Sequence, residues 1–207
     1  MFSLRKLAAL AMLAALFAPI SALAASNKMM PASAGVTMQP SRFSGPGVYT
    51  GKPALQVTLS MIIAGGGPSN FSTVTLLKTL TGPKFDAEVG KLTKQYGKDK
   101  VANFLKVFDF VVADSLRIVK EKHVTLPSTP SPDPHDGRAL AAALWSAGQT
   151  GNGFNVEVML DRAVSHPIHD QVMSDIDKKF GIAADADYHA ILTTAMNDLA
   201  SVYGLKS

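Results

Sequence analysis

The chain has 207 residues, a formal net charge of +4, only 17% charged residues and no cysteine. The absence of cysteine excludes disulfide bonds, a lipid-modified cysteine and covalent attachment of a c-type haem. Because the charges are few and form no basic cluster, the sequence argues against a protein that binds nucleic acid or an anionic membrane surface.

The first 24 residues have the organisation of a secretory signal peptide. Arg5 and Lys6 form a short basic region, residues 7–18 form an apolar run, and Ala22 and Ala24 provide a small-residue cleavage site. The apolar run is much shorter than the roughly 20 residues that a membrane-spanning helix requires. We therefore expect cleavage after Ala24, export to the periplasm or secretion, and no stable membrane insertion afterwards. Loss of Arg5 and Lys6 lowers the net charge to +2.

Residues 25–53 are rich in Ser, Pro, Gly and Met and have no apolar period of a helix or a strand. Such a composition predicts a flexible arm. Met29, Met30 and Met38 are soft donors of the kind that copper(I) prefers. Their irregular spacing favours ordinary filler residues over a metal site.

From residue 54 to residue 207 the apolar residues recur at helical spacing, which predicts an all-α domain of about eight helices. Glycine and proline mark the helix ends, as at residues 65–68 and at Gly97. The predicted helices span residues 54–64, 71–80, 84–96, 99–122, 138–147, 154–164, 167–180 and 185–203. The fourth has the most regular apolar stripe, from Val101 to Val119, and we expect it to lie at the centre of the core.

A connector with four prolines, residues 126–137, separates two segments that resemble each other, residues 54–125 and residues 138–204. At an offset of 83 residues, Ala64, Gly65, Phe71 and Leu77 correspond to Ala147, Gly148, Phe154 and Leu160. At an offset of 84, Pro83, Asp86, Leu92, Tyr96 and Gly97 correspond to Pro167, Asp170, Ile176, Phe180 and Gly181. At an offset of 87, Val101, Phe104, Leu105, Phe108 and Leu116 correspond to Tyr188, Ile191, Leu192, Ala195 and Tyr203.

The offset changes only at predicted turns, where insertions are tolerated. We therefore predict two similar four-helix repeats. Segments of about 70 residues bury apolar surface poorly on their own, so the two repeats should share one compact, pseudo-symmetric core.

All five histidines follow residue 120, and three of them lie in the second repeat. His166 and His169 are three residues apart on one predicted helix and can share a face; imidazoles so placed suit zinc, copper or haem iron. Asp170 could add an oxygen ligand or orient an imidazole. A simple antiparallel hairpin would hold His189 about 10 Å from His169, which argues against its joining them. The alternative is that these histidines are structural, with His166 at a helix start.

No catalytic motif is present. The serines lie in no G-x-S-x-G elbow, and the aspartates do not fit a calcium loop. The sequence therefore favours an exported, non-enzymatic helical protein that binds a partner protein or a small apolar ligand in a groove between the repeats. A deep polar cleft with a perturbed histidine or carboxylate would argue against this function. The alternative is a periplasmic metal- or haem-binding protein that uses His166 and His169.

Overall fold

The computed structural model describes residues 52–164 and 166–205, without the side chains of residues 52–54, 164, 166 and 167. The predicted signal peptide and nearly all of the predicted arm lie outside the described residues. No helix in the described part of the chain is both long enough and apolar enough to cross a membrane.

The described chain is predominantly helical, which confirms the predicted all-α class. The first half contains α1 (Lys52–Ala64), α2 (Thr73–Thr81), a 3₁₀ turn (Gly82–Lys84), α3 (Phe85–Tyr96) and α4 (Lys98–Glu121). The second half contains α5 (Gly137–Ala147), the two-residue strands β1 (Gln149–Thr150) and β2 (Gly153–Phe154), α6 (Val156–Val164), α7 (His166–Phe180) and α8 (Ile182–Tyr203).

The small antiparallel ladder between α5 and α6 was not predicted. Thr150 pairs with Gly153 across a turn of two residues, and the Thr150 hydroxyl donates to the Gly153 carbonyl over 2.7 Å. Gly153 has a φ of 100°, a conformation that glycine adopts without strain. Phe154, predicted as the first residue of a helix, lies instead in β2 and stacks on Trp145 at 4.6 Å between ring centroids.

Polar side chains accept hydrogen bonds from backbone amides at two helix starts, and at one of them the side chain comes from a distant helix. The Asp136 carboxylate accepts from the Ala139 amide at the start of α5, over 2.9 Å. At α2 the cap comes from Asp109 on α4, which accepts from both the amide and the hydroxyl of Thr73 at 2.7 and 2.6 Å. A carboxylate at a helix N-terminus satisfies an orphan donor and interacts favourably with the helix dipole.

The helix α4 lies at the centre of the core and packs against α2, α3, α7 and α8. Its apolar stripe is buried, as its regular spacing predicted, with Leu105 and Leu116 at the half-buried margins. Tyr188 of α8 is fully buried against two α4 rings, with centroids 5.8 Å from Phe104 and 5.9 Å from Phe108. These aromatic contacts join the two halves of the chain.

The chain turns in the same way after α1 and after α5. The Ser72 amide donates to the Gly65 carbonyl, and the Asn155 amide donates to the Gly148 carbonyl, each over 2.9 Å. Each glycine also lies beneath an aromatic ring. A Cβ at Gly65 would lie 2.3 Å from the Phe71 ring, and one at Gly148 would lie 2.3 Å from the Phe154 ring.

The α3–α4 and α7–α8 hairpins also share their connection. Gly97 has φ 89° and ψ 152°, and Gly181 has φ 86° and ψ 155°. The packing is reciprocal as well, because α1 contacts α6 while α2 contacts α5, and α3 contacts α8 while α7 contacts α4.

Candidate metal centre

An open polar cleft lies where α6, α7 and α8 meet. It is lined by one residue of α6, three of α7 and two of α8, namely Glu157, His169, Asp170, Met173, Asp185 and His189. His169 and Met173 are four residues apart on α7, and Asp185 and His189 are four apart on α8. Each pair therefore lies on one helix face. The hairpin at Gly181 sets these two faces against each other.

Two carboxylates flank one imidazole of this cleft. Oxygen atoms of Asp161 and Asp170 lie 3.9 and 3.4 Å from Nδ1 of His169. One donor atom from each of the three residues lies within 4.8 Å of the others. Asp161 is 0% exposed and His169 is 2% exposed, whereas Asp170 faces solvent. We call Asp161, His169 and Asp170 the donor triad.

The donor triad has the chemistry of a site for a divalent transition metal. Imidazole nitrogen and carboxylate oxygen are the donors that Zn²⁺ shares with Ni²⁺, Co²⁺ and Cu²⁺. Bond lengths of about 2.0–2.2 Å place tetrahedral donors roughly 3.3 Å apart. The donor atoms of the triad lie up to 4.8 Å apart, so side-chain rotations would have to draw them together. A haem fits less well, because carboxylates surround the cleft and a macrocycle requires an apolar slot.

The α8 wall of the cleft repeats the pairing of imidazole with carboxylate. Nδ1 of His189 lies 3.8 Å from Oδ1 of Asp185, and the two side chains are 27% and 21% exposed. The other ring nitrogen of His189, Nε2, is inaccessible to solvent and makes no hydrogen bond to any described residue. A buried polar atom of this kind calls for a partner.

The electrostatics of the cleft are dominated by its carboxylates. Burial raises the pKa of Asp185, and the negative charges of Asp177 and Glu157 act in the same direction. Electrostatic interactions with His189 and His169 oppose this shift of the Asp185 pKa. The two imidazoles therefore act on the same carboxyl group.

Comparison with known protein families, curated proteins and solved structures finds no match to this chain. Its function must be argued from the site.

The structure brings two of the three predicted metal ligands into the cleft. His169 and Asp170 belong to the donor triad. His166 begins α7, but its side chain lies outside the described residues, so its role as a ligand stays a prediction. His189 was expected to lie too far along the hairpin to join His169; both side chains line the same cleft, but the donor atoms that meet within 4.8 Å do not include one from His189.

Two acidic residues of α6 were not predicted from the sequence as members of the site. Glu157 lines the cleft, and Asp161 lies buried beside His169. Their spacing of four residues places them on one helix face, which was the available signal. It is a weak signal, because an acidic pair on a helix is usually solvated, and burial of Asp161 follows only from the packing of α6 against α1, α5 and α7.

Proposed function

We propose that this protein is an exported, non-enzymatic metal-binding protein that holds one Zn²⁺-class ion in the cleft between α6, α7 and α8. The observation that carries this proposal is the donor triad, whose three donor atoms meet within 4.8 Å and whose Asp161 and His169 are buried. Two carboxylates lie beside one imidazole, and the buried Arg162 interacts with one of them, Asp161, so that a net negative charge remains at the site. A divalent cation would neutralise that charge.

We also propose that the domain is a duplicated four-helix unit and that the second copy alone was specialised for metal. The matched glycine corners, the matched hairpin glycines and the reciprocal helix packing support duplication. At the offsets read from the sequence, Lys78 corresponds to Asp161 and Phe85 to His169. The Lys78 ammonium lies 5.4 Å from the Phe85 ring centroid. The first copy therefore has a cation–π pair where the second has an acid and an imidazole.

Binding of a small apolar ligand in the core has less support. The apolar cavity in the described core lies between helices of both halves, with Leu76, Phe108, Leu144 and Leu192 among its lining residues. Its volume is about 50 Å³. An engineered cavity that admits benzene has roughly 150 Å³. The core would therefore have to open before it could take such a ligand.

Zinc titration of the exported chain, residues 25–207, tests the metal-binding function. We expect one Zn²⁺ per chain by calorimetry and by elemental analysis. We also expect a rise in melting temperature, because a ligand at 100 times its Kd stabilises the folded state by about 2.7 kcal/mol. The variant His169→Phe, which installs the residue of the first copy, should abolish both effects. His135→Ala, in the exposed connector, is the matched control.

The absence of stoichiometric Zn²⁺ binding by the wild-type chain would overturn the proposal. Undiminished binding by His169→Phe would overturn the assignment of the site. Far-ultraviolet circular dichroism of the metal-free variant separates loss of a ligand from loss of the fold.

A further inference from the structure

We propose that His189 of α8 is the fourth ligand of the metal ion, so that side chains from α6, α7 and α8 close its coordination shell. This inference rests on the proposed metal-binding function and specifies its site. The donor triad alone supplies three ligands, which leaves one position of a tetrahedral ion open. The fourth ligand decides whether that position is left to water.

His189 is placed to fill this position because it lines the same cleft as His169 and Asp170. Its Nε2 is shielded from solvent, yet it finds no hydrogen-bond partner among residues 52–164 and 166–205. Burial of a polar nitrogen without a partner is unfavourable. Coordination of a metal ion would satisfy this atom.

The carboxylate of Asp185 supports the same assignment. It lies 3.8 Å from Nδ1 of His189, on the preceding turn of α8. A metal-bound imidazole usually donates its other ring N–H to a carboxylate or a carbonyl, which fixes the ring orientation and raises its basicity. Nδ1 faces Asp185 at 3.8 Å, which is longer than a hydrogen bond, so a small movement of the ring would be needed to pair them and would leave Nε2 for the ion. Asp185 is therefore assigned as a positioning residue.

Binding requires a movement of the His189 side chain. The donor triad meets within 4.8 Å without including His189. The imidazole is 27% exposed, so one side of it faces the open cleft and has space to turn. A rotation of this side chain would bring Nε2 of His189 toward the donor triad on α6 and α7.

Closure of the shell has a functional consequence. A metal ion held by four protein side chains has no open position for water or substrate, which is the arrangement of structural sites. The site would then hold its ion without activating water. It would also cross-link α8 to α6 and α7.

X-ray absorption spectroscopy of the Zn²⁺-loaded wild-type chain tests this inference without any substitution. Two imidazoles in the first coordination shell are expected. A shell with a single imidazole and a bound water would overturn the assignment of His189, while the triad and the proposed function would stand. Failure of the wild-type chain to bind Zn²⁺ at all would refute the proposed function itself.

Variants separate a ligand from a positioning residue. His189→Ala should weaken Zn²⁺ binding by about 100-fold or more, and Asp185→Asn by roughly 10-fold, in keeping with the usual effect of losing an orienting partner. His135→Ala should leave the affinity unchanged. Unchanged Zn²⁺ affinity in His189→Ala, with its metal-free fold intact by circular dichroism, would overturn the inference.

Discussion

Two carboxyl groups meet between α3 and α8, away from the cleft between α6, α7 and α8. Burial raises the pKa of Glu88 to about 7, and the hydrogen bond with Asp198 and its negative charge add to the shift, while Lys91 opposes it. Lys91 also pairs directly with Asp198. At pH 7 about half of the Glu88 carboxyl groups therefore retain a proton, which they can donate to Asp198.

This pair predicts a loss of stability as pH rises. The unfolded chain releases the Glu88 proton near the ordinary pKa of 4.5, whereas the folded chain holds it to about 7. Between these values the folded state binds more protons, so the free energy of unfolding falls as pH rises. Glu88→Gln keeps a donor for Asp198 and cannot ionise. Its urea midpoint should therefore fall less between pH 5 and pH 8 than that of the wild type.

Asp86→Asn, which removes an exposed carboxylate from the same helix, should reproduce the wild-type dependence on pH. If Glu88→Gln lost as much stability as the wild type over this range, the shared proton would not be a determinant of stability.

The donor triad likewise depends on single residues. His169 and Asp170 were singled out in the sequence as candidate ligands, and Asp161 was not. An aspartate on a helix is normally solvated, so only its 0% exposure beside His169 distinguishes it from other acidic residues.

Among the helices and their connections, glycine determines where two helices turn. The rings of Phe71 and Phe154 occupy the space that a Cβ would need at Gly65 and Gly148. These contacts make each glycine necessary for close packing, whatever its backbone conformation.

Gly65→Ala should therefore destabilise the protein, by about 1–3 kcal/mol, the usual range for overpacking a well-packed site. At Gly90, on the exposed face of α3, a Cβ would meet no heavy atom of the described chain within 4 Å. Gly90→Ala should instead stabilise the protein by about 0.5–1 kcal/mol, because alanine costs less entropy in a helix. Urea unfolding measures both changes.

Equal effects of the two substitutions would contradict the packing argument. Adding Phe71→Leu to Gly65→Ala should recover part of the loss, because the smaller side chain can move away from the new methyl group.

Across the molecule, the interface between the two halves of the chain is built around Tyr188. Its ring packs against Phe104 and Phe108, and its hydroxyl is buried without a hydrogen-bond partner in the described part of the chain. Burial raises the pKa of this phenol above its ordinary value. Tyr203, at the other end of α8, donates its hydroxyl to the Leu80 carbonyl.

Removal of the two hydroxyl groups should therefore have different effects. Tyr188→Phe keeps the ring contacts and removes an uncompensated polar group, so we expect unchanged or slightly increased stability. Tyr203→Phe loses a hydrogen bond and should cost about 1 kcal/mol. Thermal unfolding at pH 7 compares the two. A loss in Tyr188→Phe as large as that in Tyr203→Phe would show that the Tyr188 hydroxyl has a partner.

Local signals in the sequence were sufficient to define the helical class and the position of most helices. Apolar spacing, glycine and proline act over a few residues, so they predicted α4 and the ends of α1 and α3 to within one or two residues. The local rules failed at Phe154, where a short strand replaces the predicted start of α6. There the stacking of Phe154 on Trp145 and its packing over Gly148 outweigh helix propensity.

The composition of the candidate site, in contrast, depends on tertiary packing. The sequence placed His169 and Asp170 on one helix, but the burial of Asp161 depends on how α6 packs. The presence of His189 in the wall of the cleft depends on how α8 folds back at Gly181. These are distances between side chains on different helices, and no periodicity along the chain encodes them. Two histidines of the second half line this cleft, and packing decided which residues accompany them.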